Sequence, residues 1–379
     1  MTGSEMTPPK IALVVFRLEP AGGLEQHSLR LASELIGRGC AVTLVTTRPP
    51  AASPPGAELI VIAERGRTTH GRLAAFAADA ARAVADRFDR TVAFHAIPGF
   101  DLIFCADPSR ARPPPWRSVL PRYRAFADLE RRAFAPTART RVLFLSSAQL
   151  EAFARHHRTP PERLILLPPT VDRLRADPDA GTPAFRNAAR RRYGADRAGP
   201  VWLWMGLQPR TKGLDRALEA LAASPSARLL ICGLRPESAS AQPMQRLAGH
   251  LSVASRVTWL GFLGDGEVPG VIAAADLLIH PSRADVTGTV ILEAMAGGLP
   301  VVTTAVCGYG EHVRAGGAGV VLDEPFRQAD LDAALASATP KTLRGWSAAA
   351  LAYARQGDLF SGLERAADVI QSPLDAQLG

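Results

Sequence analysis

The sequence predicts an α/β chain of two Rossmann-like, doubly wound parallel-sheet domains facing a cleft. Three observations predict it. At 379 residues the chain is too long for one core and fits two domains of ordinary size. Apolar runs of strand length alternate with segments whose apolar residues recur at helical spacing, and this series occurs twice, as βαβ units around a parallel sheet require. Glycine-containing loops follow several strands, at the sheet edge where open α/β sheets take their ligands. The expected layout is a first domain over 1–175, a linker over 176–199, a second domain over 200–350 and a helical segment over 351–379 that packs back on the first.

Composition narrows the class. Hydrophobic residues make up 47% and charged residues 21%, as in a globular protein, and no apolar run approaches the length needed to cross a bilayer. Met1–Lys10 is short and polar and Ile11–Phe16 is of strand length, so neither serves as a signal-peptide core and a cytoplasmic location is expected. Cys40, Cys105, Cys232 and Cys307 are widely spaced with no CxxC, which disfavours disulfides and a cysteine metal site.

The net charge of +8 is unevenly spread. Arg110, Arg112, Arg117, Arg122, Arg124, Arg131, Arg132, Arg139 and Arg141 lie close together, with Asp128 and Glu130 the only acids among them and Trp116, Tyr123 and Phe126 interleaved. Such a surface suits an anionic partner, a membrane headgroup or a phosphorylated lipid; the plain alternative is a solvated arginine-rich face. No nucleic-acid-binding signature accompanies the charge, so nucleic acid is disfavoured.

In the first domain, Lys10–Phe16 is a continuous apolar strand, followed by Gly22-Gly23 and then by Leu24, Leu29, Leu31, Leu35 and Ile36 at helical spacing. Gly37-Arg38-Gly39 stops that helix and Ala41–Thr46 is the next strand. The loop is not GxGxxG and so is not a dinucleotide fingerprint; Gly22 and Gly23 instead allow close approach of a substrate to backbone. Further strands are expected at Glu58–Ala63, Thr91–Phe94, Leu102–Cys105, Val142–Leu145 and Leu164–Leu167, with a helix through Gly71–Phe88. His95 and Asp107 stand just beyond strand ends and are candidates for chemistry, against the competing reading of Asp107 as a turn residue before Pro108.

From Pro168 to Pro200 regularity fades. Asp177-Pro178-Asp179 spells DxD but sits in a proline-rich stretch with no strand before it, and is not read as a metal motif. In the second domain, strand Val201–Met205 leads through a loop with Arg210 and Lys212 to Gly213 and a helix bearing Leu214, Ala217, Leu218 and Leu221 on one face. Two cations at a strand end beside a helix N-terminus suit a diphosphate; otherwise they are solvated loop charges. Strands Arg228–Cys232, Arg256–Leu260, Ala275–Ile279, Pro300–Thr303 and Gly319–Leu322 follow, with helices Pro243–His250 and Val268–Ala274 between them, and Lys341–Ile370 is expected to be helical throughout.

Within that series, His280–Thr304 is the most informative stretch. A short loop holding Asp285 and Gly288 opens a helix with Val290, Ile291, Met295 and Ala296, which ends at Gly297-Gly298 before the next strand. Unpaired N–H groups and the helix dipole favour an anion at its start. Asp285 and Glu293, one before the helix and one about a turn inside it, either face one cleft or are incidental carboxylates.

Two such domains, a Gly-Gly loop, an Arg-x-Lys-Gly loop and an acid-x7-Glu stretch resemble the GT-B retaining glycosyltransferases of family 4. PGFDLIFCADPSRA, PRYRAFADLERRAF, PERLILLPP, KGLDRALEAL, AADLLIHP and LPVVTTAVCGYGEHV are similar, in order over about residues 10–370, to the glucosyltransferases that add the first glucose to the inner-core heptose of lipopolysaccharide. That resemblance implies a UDP-sugar donor, UDP-glucose, held mainly by the second domain, and a phosphorylated glycolipid acceptor against the first. It implies that Glu293 holds the ribose hydroxyls and that Gly288, Thr289 and Val290 offer N–H groups to the diphosphate and sugar. Lys212 and Arg210 neutralise the leaving diphosphate, Asp285 meets sugar hydroxyls, Gly22 and Gly23 line the diphosphate side of the first domain, and Asp107 stands near the anomeric carbon. The loop Gly233–Arg235 is expected to contact the base. No metal and no cofactor are expected, and the chain is expected to act as a monomer on the cytoplasmic face of the inner membrane, with Arg122, Arg124, Arg131 and Arg132 meeting its anionic surface. Transfer with the same-face geometry of an ion pair is expected over a double displacement, because no nucleophile is clearly placed. Two departures stand out: Asp285 replaces the usual Glu, and Leu207 and Thr211 occupy the places where relatives carry the arginine assigned here to Arg210. Transfer of another sugar, and a silent GT-B binding protein, are the alternatives.

Overall fold

A computed structural model describes residues 7–19, 22–110, 119–176 and 182–373. The chain divides into two compact units, one formed by Met1–Pro168 with Ser361–Gly379 and the other by Pro169–Phe360.

In the first unit the strands are β1 (Lys10–Val14), β2 (Ala41–Thr46), β3 (Glu58–Val61), β4 (Arg90–Ala93), β5 (Leu102–Cys105), β6 (Arg141–Phe144) and β7 (Leu164–Leu166). They pair in parallel in the order β3-β2-β1-β4-β5-β6-β7. The helices are α1 (Gly23–Gly37), α2 (Thr69–Val84), α3 (Pro121–Ala133) and α4 (Ser147–His157). Successive β1 side chains point to opposite faces, so each face needs its own cover. Ile11 and Leu13 pack with Leu31 and Leu35 of α1, while Ala12 and Val14 share the other core with Phe76, Leu129 and Phe153 from α2, α3 and α4.

The second unit begins with α5 (Pro183–Arg192) and carries β8 (Val201–Met205), β9 (Arg228–Cys232), β10 (Val257–Gly261), β11 (Leu277–His280), β12 (Val301–Thr304) and β13 (Gly319–Leu322), parallel in the order β10-β9-β8-β11-β12-β13. Between them run α6 (Leu214–Ala223), α7 (Gln242–His250), α8 (Val268–Ala274), α9 (Thr289–Ala296) and α10 (Gly310–Gly316), and after them α11 (Gln328–Ser337) and α12 (Pro340–Gln356). Strand order reverses beside β8 and β11, which makes the loops after these two strands the walls of a ligand crevice.

The expected boundaries need correction. The stretch assigned to a linker holds α5, capped by the Thr182 side chain accepting from Phe185 N. Two of its arginines are held by the protein: Arg186 and Arg190 donate to the two oxygens of Asp276, at 2.5 and 3.1 Å, and so tie the helix to the start of β11. Charge density had hidden a helix that packs through Ala189 and Phe185. The terminal segment is two helices rather than one. Backbone leaves helical geometry at Gly357, α12 stays with the second unit, and α13 (Gly362–Gln371) buries Ala366, Ala367, Val369 and Ile370 in the core shared with α1.

Candidate active site

Loops after β8, β11 and β12 converge in the second unit. Lys212 reaches Asp285, with Nζ 2.6 Å from Oδ2, and His280 Nε2 lies 2.9 Å from the same oxygen. Asp285 is held by backbone as well: its carbonyl accepts from Gly308 N, and the Thr287 carbonyl accepts from Tyr309 N. The Cys307–Tyr309 turn thus anchors the loop that carries the acid. Burial pushes the Asp285 carboxyl up, but the hydrogen bond and charge of His280 and the Lys212 ammonium outweigh it and bring its pKa down to about 2.

The Lys212 loop is rigid for local reasons. Gly213 has φ +72°, and a Cβ there would stand 2.0 Å from the Pro281 carbonyl oxygen, so only glycine lets β8 and β11 loops touch. Arg283 braces the same loop, donating to the Arg210 carbonyl at 2.7 Å and to both Asp215 oxygens at 2.8 Å. Arg210 itself has an exposed side chain; its carbonyl, rather than its guanidinium, is what the loop uses.

Gly288, with φ +80°, opens α9, so the first-turn N–H groups of Thr289 and Val290 precede the intrahelical ladder at the Asp285 side of the site. One turn inside, Glu293 is 4% exposed. Both its oxygens are taken by Arg175, with Nε to Oε1 at 2.6 Å and Nη2 to Oε2 at 2.9 Å, and Arg175 Nη1 donates to Asp265 at 2.8 Å. Burial works against the arginine charge, and the two carboxylates more than restore it. At the ends of β9 and β10 the Arg235 guanidinium lies 5.3 Å from the Phe262 ring centroid, and Phe262 is 57% exposed.

His280, Asp285 and Cys307 offer three donor atoms within 4.8 Å of one another. They do not fit a resident metal. His280 Nδ1 is buried without a partner, so a metal on Nε2 would drive the ring proton to a position with no acceptor. The Lys212 ammonium already occupies the carboxylate oxygen a cation would need, and burial keeps the Cys307 thiol protonated. The arrangement is a lysine–carboxylate–imidazole chain in which His280 donates from Nε2.

In the first unit, Asp107 follows β5 and accepts across 3.4 Å from His95, just beyond β4. Burial raises its carboxyl, while His95 and Arg110 outweigh that and leave it below the usual carboxylate range. Gln149 Nε2 holds the Asp107 carbonyl at 2.9 Å, and Glu130 accepts from Ser109 Oγ and Arg110 N, both at 2.7 Å, which ties the loop to α4 and α3. Gly22 caps α1, but its N–H is taken at 2.9 Å by Glu25, so that helix start already holds a carboxylate of its own; Gly23 is the first helical residue. Arg122, Arg124, Arg131 and Arg132 are exposed on α3, whereas Leu129, Glu130 and Ala133 turn inward. Arg112, Trp116, Arg117 and the DxD at Asp177–Asp179 lie outside the described residues.

Comparison with known proteins decides the family. The model for glycosyl transferases group 1 matches residues 185–342. The lipopolysaccharide glucosyltransferase WaaG of Escherichia coli (strain K12) is 34% identical, with 96% of this chain and 99% of WaaG aligned. The chain belongs to the group 1 glycosyl transferases. Its fold agrees: a crystal structure of WaaG, a glycosyltransferase involved in lipopolysaccharide biosynthesis, superposes with a TM-score of 0.86 at 33% identity over 96% of this chain and 100% of that one. Anabaena HepE, crystallised with UDP-glucose, shares the fold at a TM-score of 0.73 and 20% identity, covering 95% of this chain and 98% of its own. This glycosyltransferase therefore has two parallel-sheet domains of the GT-B kind.

Sequence reasoning missed four of its site groups. His280 ends an apolar strand and carried the same signal as His95, a polar residue at a strand's carboxyl end. Arg175, Asp265 and Arg283 carry no such signal, because each sits in a loop whose partner is distant in sequence.

Proposed function

We propose that this glycosyltransferase moves glucose from UDP-glucose onto a heptose of the lipopolysaccharide core, with retention and without a metal ion. The observation that carries the reading is the likeness to WaaG along nearly the whole of both chains. The site is suited to it. Bond cleavage builds negative charge on the diphosphate, and Lys212 with the N–H groups at the start of α9 supplies preorganised positive charge without a divalent cation. Asp285 holds the Lys212 ammonium in place, and Glu293 offers a fixed carboxylate to the ribose. Arg210 supplements the charge from the exposed loop, Arg235 with Phe262 meets the base, and Gly22 and Gly23 border the diphosphate. Asp107, ionised beside His95, stabilises the developing cationic sugar while the acceptor attacks from the leaving-group face and the phosphate takes its proton.

No helix among the described residues is long and apolar enough to cross a membrane. We assign α3 to contact with the anionic cytoplasmic face of the inner membrane: Arg122, Arg124, Arg131 and Arg132 are exposed, and Val119 and Leu120 at its start are exposed apolar residues.

The Asp285 carboxylate, drawn back onto Lys212 and His280, favours a second reading in which the same transfer uses another hexose. Purified protein offered UDP-glucose, UDP-galactose, UDP-N-acetylglucosamine and UDP-glucuronic acid with a heptose-terminated core acceptor tests both. UDP release and an α-linked product with UDP-glucose alone support the first reading; turnover of a different sugar selects the second; no turnover with any of the four removes both and leaves a silent binding protein.

A further inference from the structure

Arg175 enters the second unit on a segment that is itself fixed: Val171 N donates to the Leu359 carbonyl at 2.9 Å, Asp172 caps a short turn through Leu174 N at 2.9 Å, and the Arg173 guanidinium covers the Phe360 ring. All three guanidinium nitrogens of Arg175 are engaged, side-on to both Glu293 oxygens and end-on to Asp265. That contact uses the lone pairs of Glu293 that face the arginine. Each carboxylate oxygen keeps a second lone pair, one on either outer edge of the carboxylate, and each can accept from a hydroxyl. An arginine is required rather than a lysine, because only a planar fork fixes both oxygens at once. A carboxylate this buried also needs a paired countercharge to stay ionised and in place.

We propose that Arg175 is a positioning residue of the donor site, which acts through Glu293 by presenting a free edge of its carboxylate to a hydroxyl of the nucleotide ribose. The inference rests on the reading that Glu293 receives the ribose.

Calorimetric titration of UDP and of 2′,3′-dideoxyuridine diphosphate tests it on the wild-type chain and on Arg175→Gln, Arg175→Lys and Asp265→Asn. The wild type is expected to bind UDP at least about tenfold more tightly than the dideoxy compound, as loss of hydrogen bonds to a charged group requires. Arg175→Gln should lose most of that preference while binding the dideoxy compound within about threefold of wild type, which also reports an intact fold. Arg175→Lys should not restore it, and Asp265→Asn should lose part of it. Equal weakening of both ligands in Arg175→Gln would show a merely structural arginine, and tighter UDP binding would show a latch that must leave before the nucleotide enters; either overturns the proposal. A wild type that does not discriminate removes the ribose reading of Glu293 itself, whereas discrimination that survives Arg175→Gln removes only the role of Arg175.

Discussion

Lys212 Nζ and Asp285 Oδ2 lie 2.6 Å apart, and the aspartate that departs from the family pattern is thereby bound to the lysine that keeps it. His280, 1% exposed, holds the same Asp285 oxygen at 2.9 Å. The pair acts as one electrostatic unit, so replacing either member alters the other.

On the proposed reaction, replacing Lys212 with methionine removes the ammonium that faces the leaving diphosphate. A loss of about 10²–10³-fold in kcat is expected, the scale of deleting one preorganised donor of this kind. Arg210→Met should cost far less, because that side chain is exposed. Steady-state UDP release at saturating donor measures both.

The Asp285 carboxyl, at about 2 in the folded chain against an ordinary 3.8, stabilises the fold when ionised. A depressed pKa contributes stability fully present above the unfolded value and lost as pH falls through the folded one. Asp285→Asn should therefore be less stable than wild type at pH 7, on the order of 2 kcal/mol for a shift of this size. The gap should close between about pH 4 and pH 2, as denaturant unfolding at a series of pH values would show. A gap that stays constant across that window would contradict the assignment.

Gly213→Ala forces a side chain into a left-handed position against the Pro281 carbonyl. Destabilisation of about 1–3 kcal/mol is expected, with a drop in kcat larger than that of the neighbouring surface change Gln208→Ala, because the loop that carries Lys212 must shift. Thermal melts and UDP release read the two effects separately.

Glu130 is 2% exposed and accepts from Ser109 Oγ, Arg110 N and, at 2.7 Å, His157 Nε2. Glu130→Leu removes the shared acceptor of these three donors and should destabilise by about 2–4 kcal/mol. Faster amide exchange should appear first in the loop from Asp107 to Arg110, which hydrogen-exchange mass spectrometry resolves.

Neutralising Arg122, Arg124, Arg131 and Arg132 together should leave melting temperature nearly unchanged, since all four are exposed. Sedimentation with phosphatidylglycerol vesicles should fall at least about tenfold, and the difference should vanish in high salt. Unchanged vesicle binding would remove the membrane role of α3.

Much of the architecture was legible. Strands such as Lys10–Val14 and Val201–Met205 are buried on both faces and read as unbroken apolar runs, so parallel sheets follow from composition and spacing alone. Helices such as α6 show their buried stripe at Leu214, Ala217, Leu218 and Leu221. Failures came where charge masked packing. Arg186 and Arg190 look solvated in sequence and are held by Asp276, and Gly357 breaks a segment whose periodicity runs on past it.

The sequence by itself determined two doubly wound sheets, the family, and the loops that bear Lys212, Asp285 and Glu293, because periodicity and glycine placement are local properties of the chain. Only the tertiary structure decided which groups those residues meet. That Asp285 is shared by Lys212 and His280, and that Glu293 is clasped by Arg175, depends on loops brought together by strand order, with partners as far apart as residues 175 and 293. Coulombic and hydrogen-bonding contacts reach only a few ångströms, and no spacing in the sequence encodes which distant loop will stand within that reach.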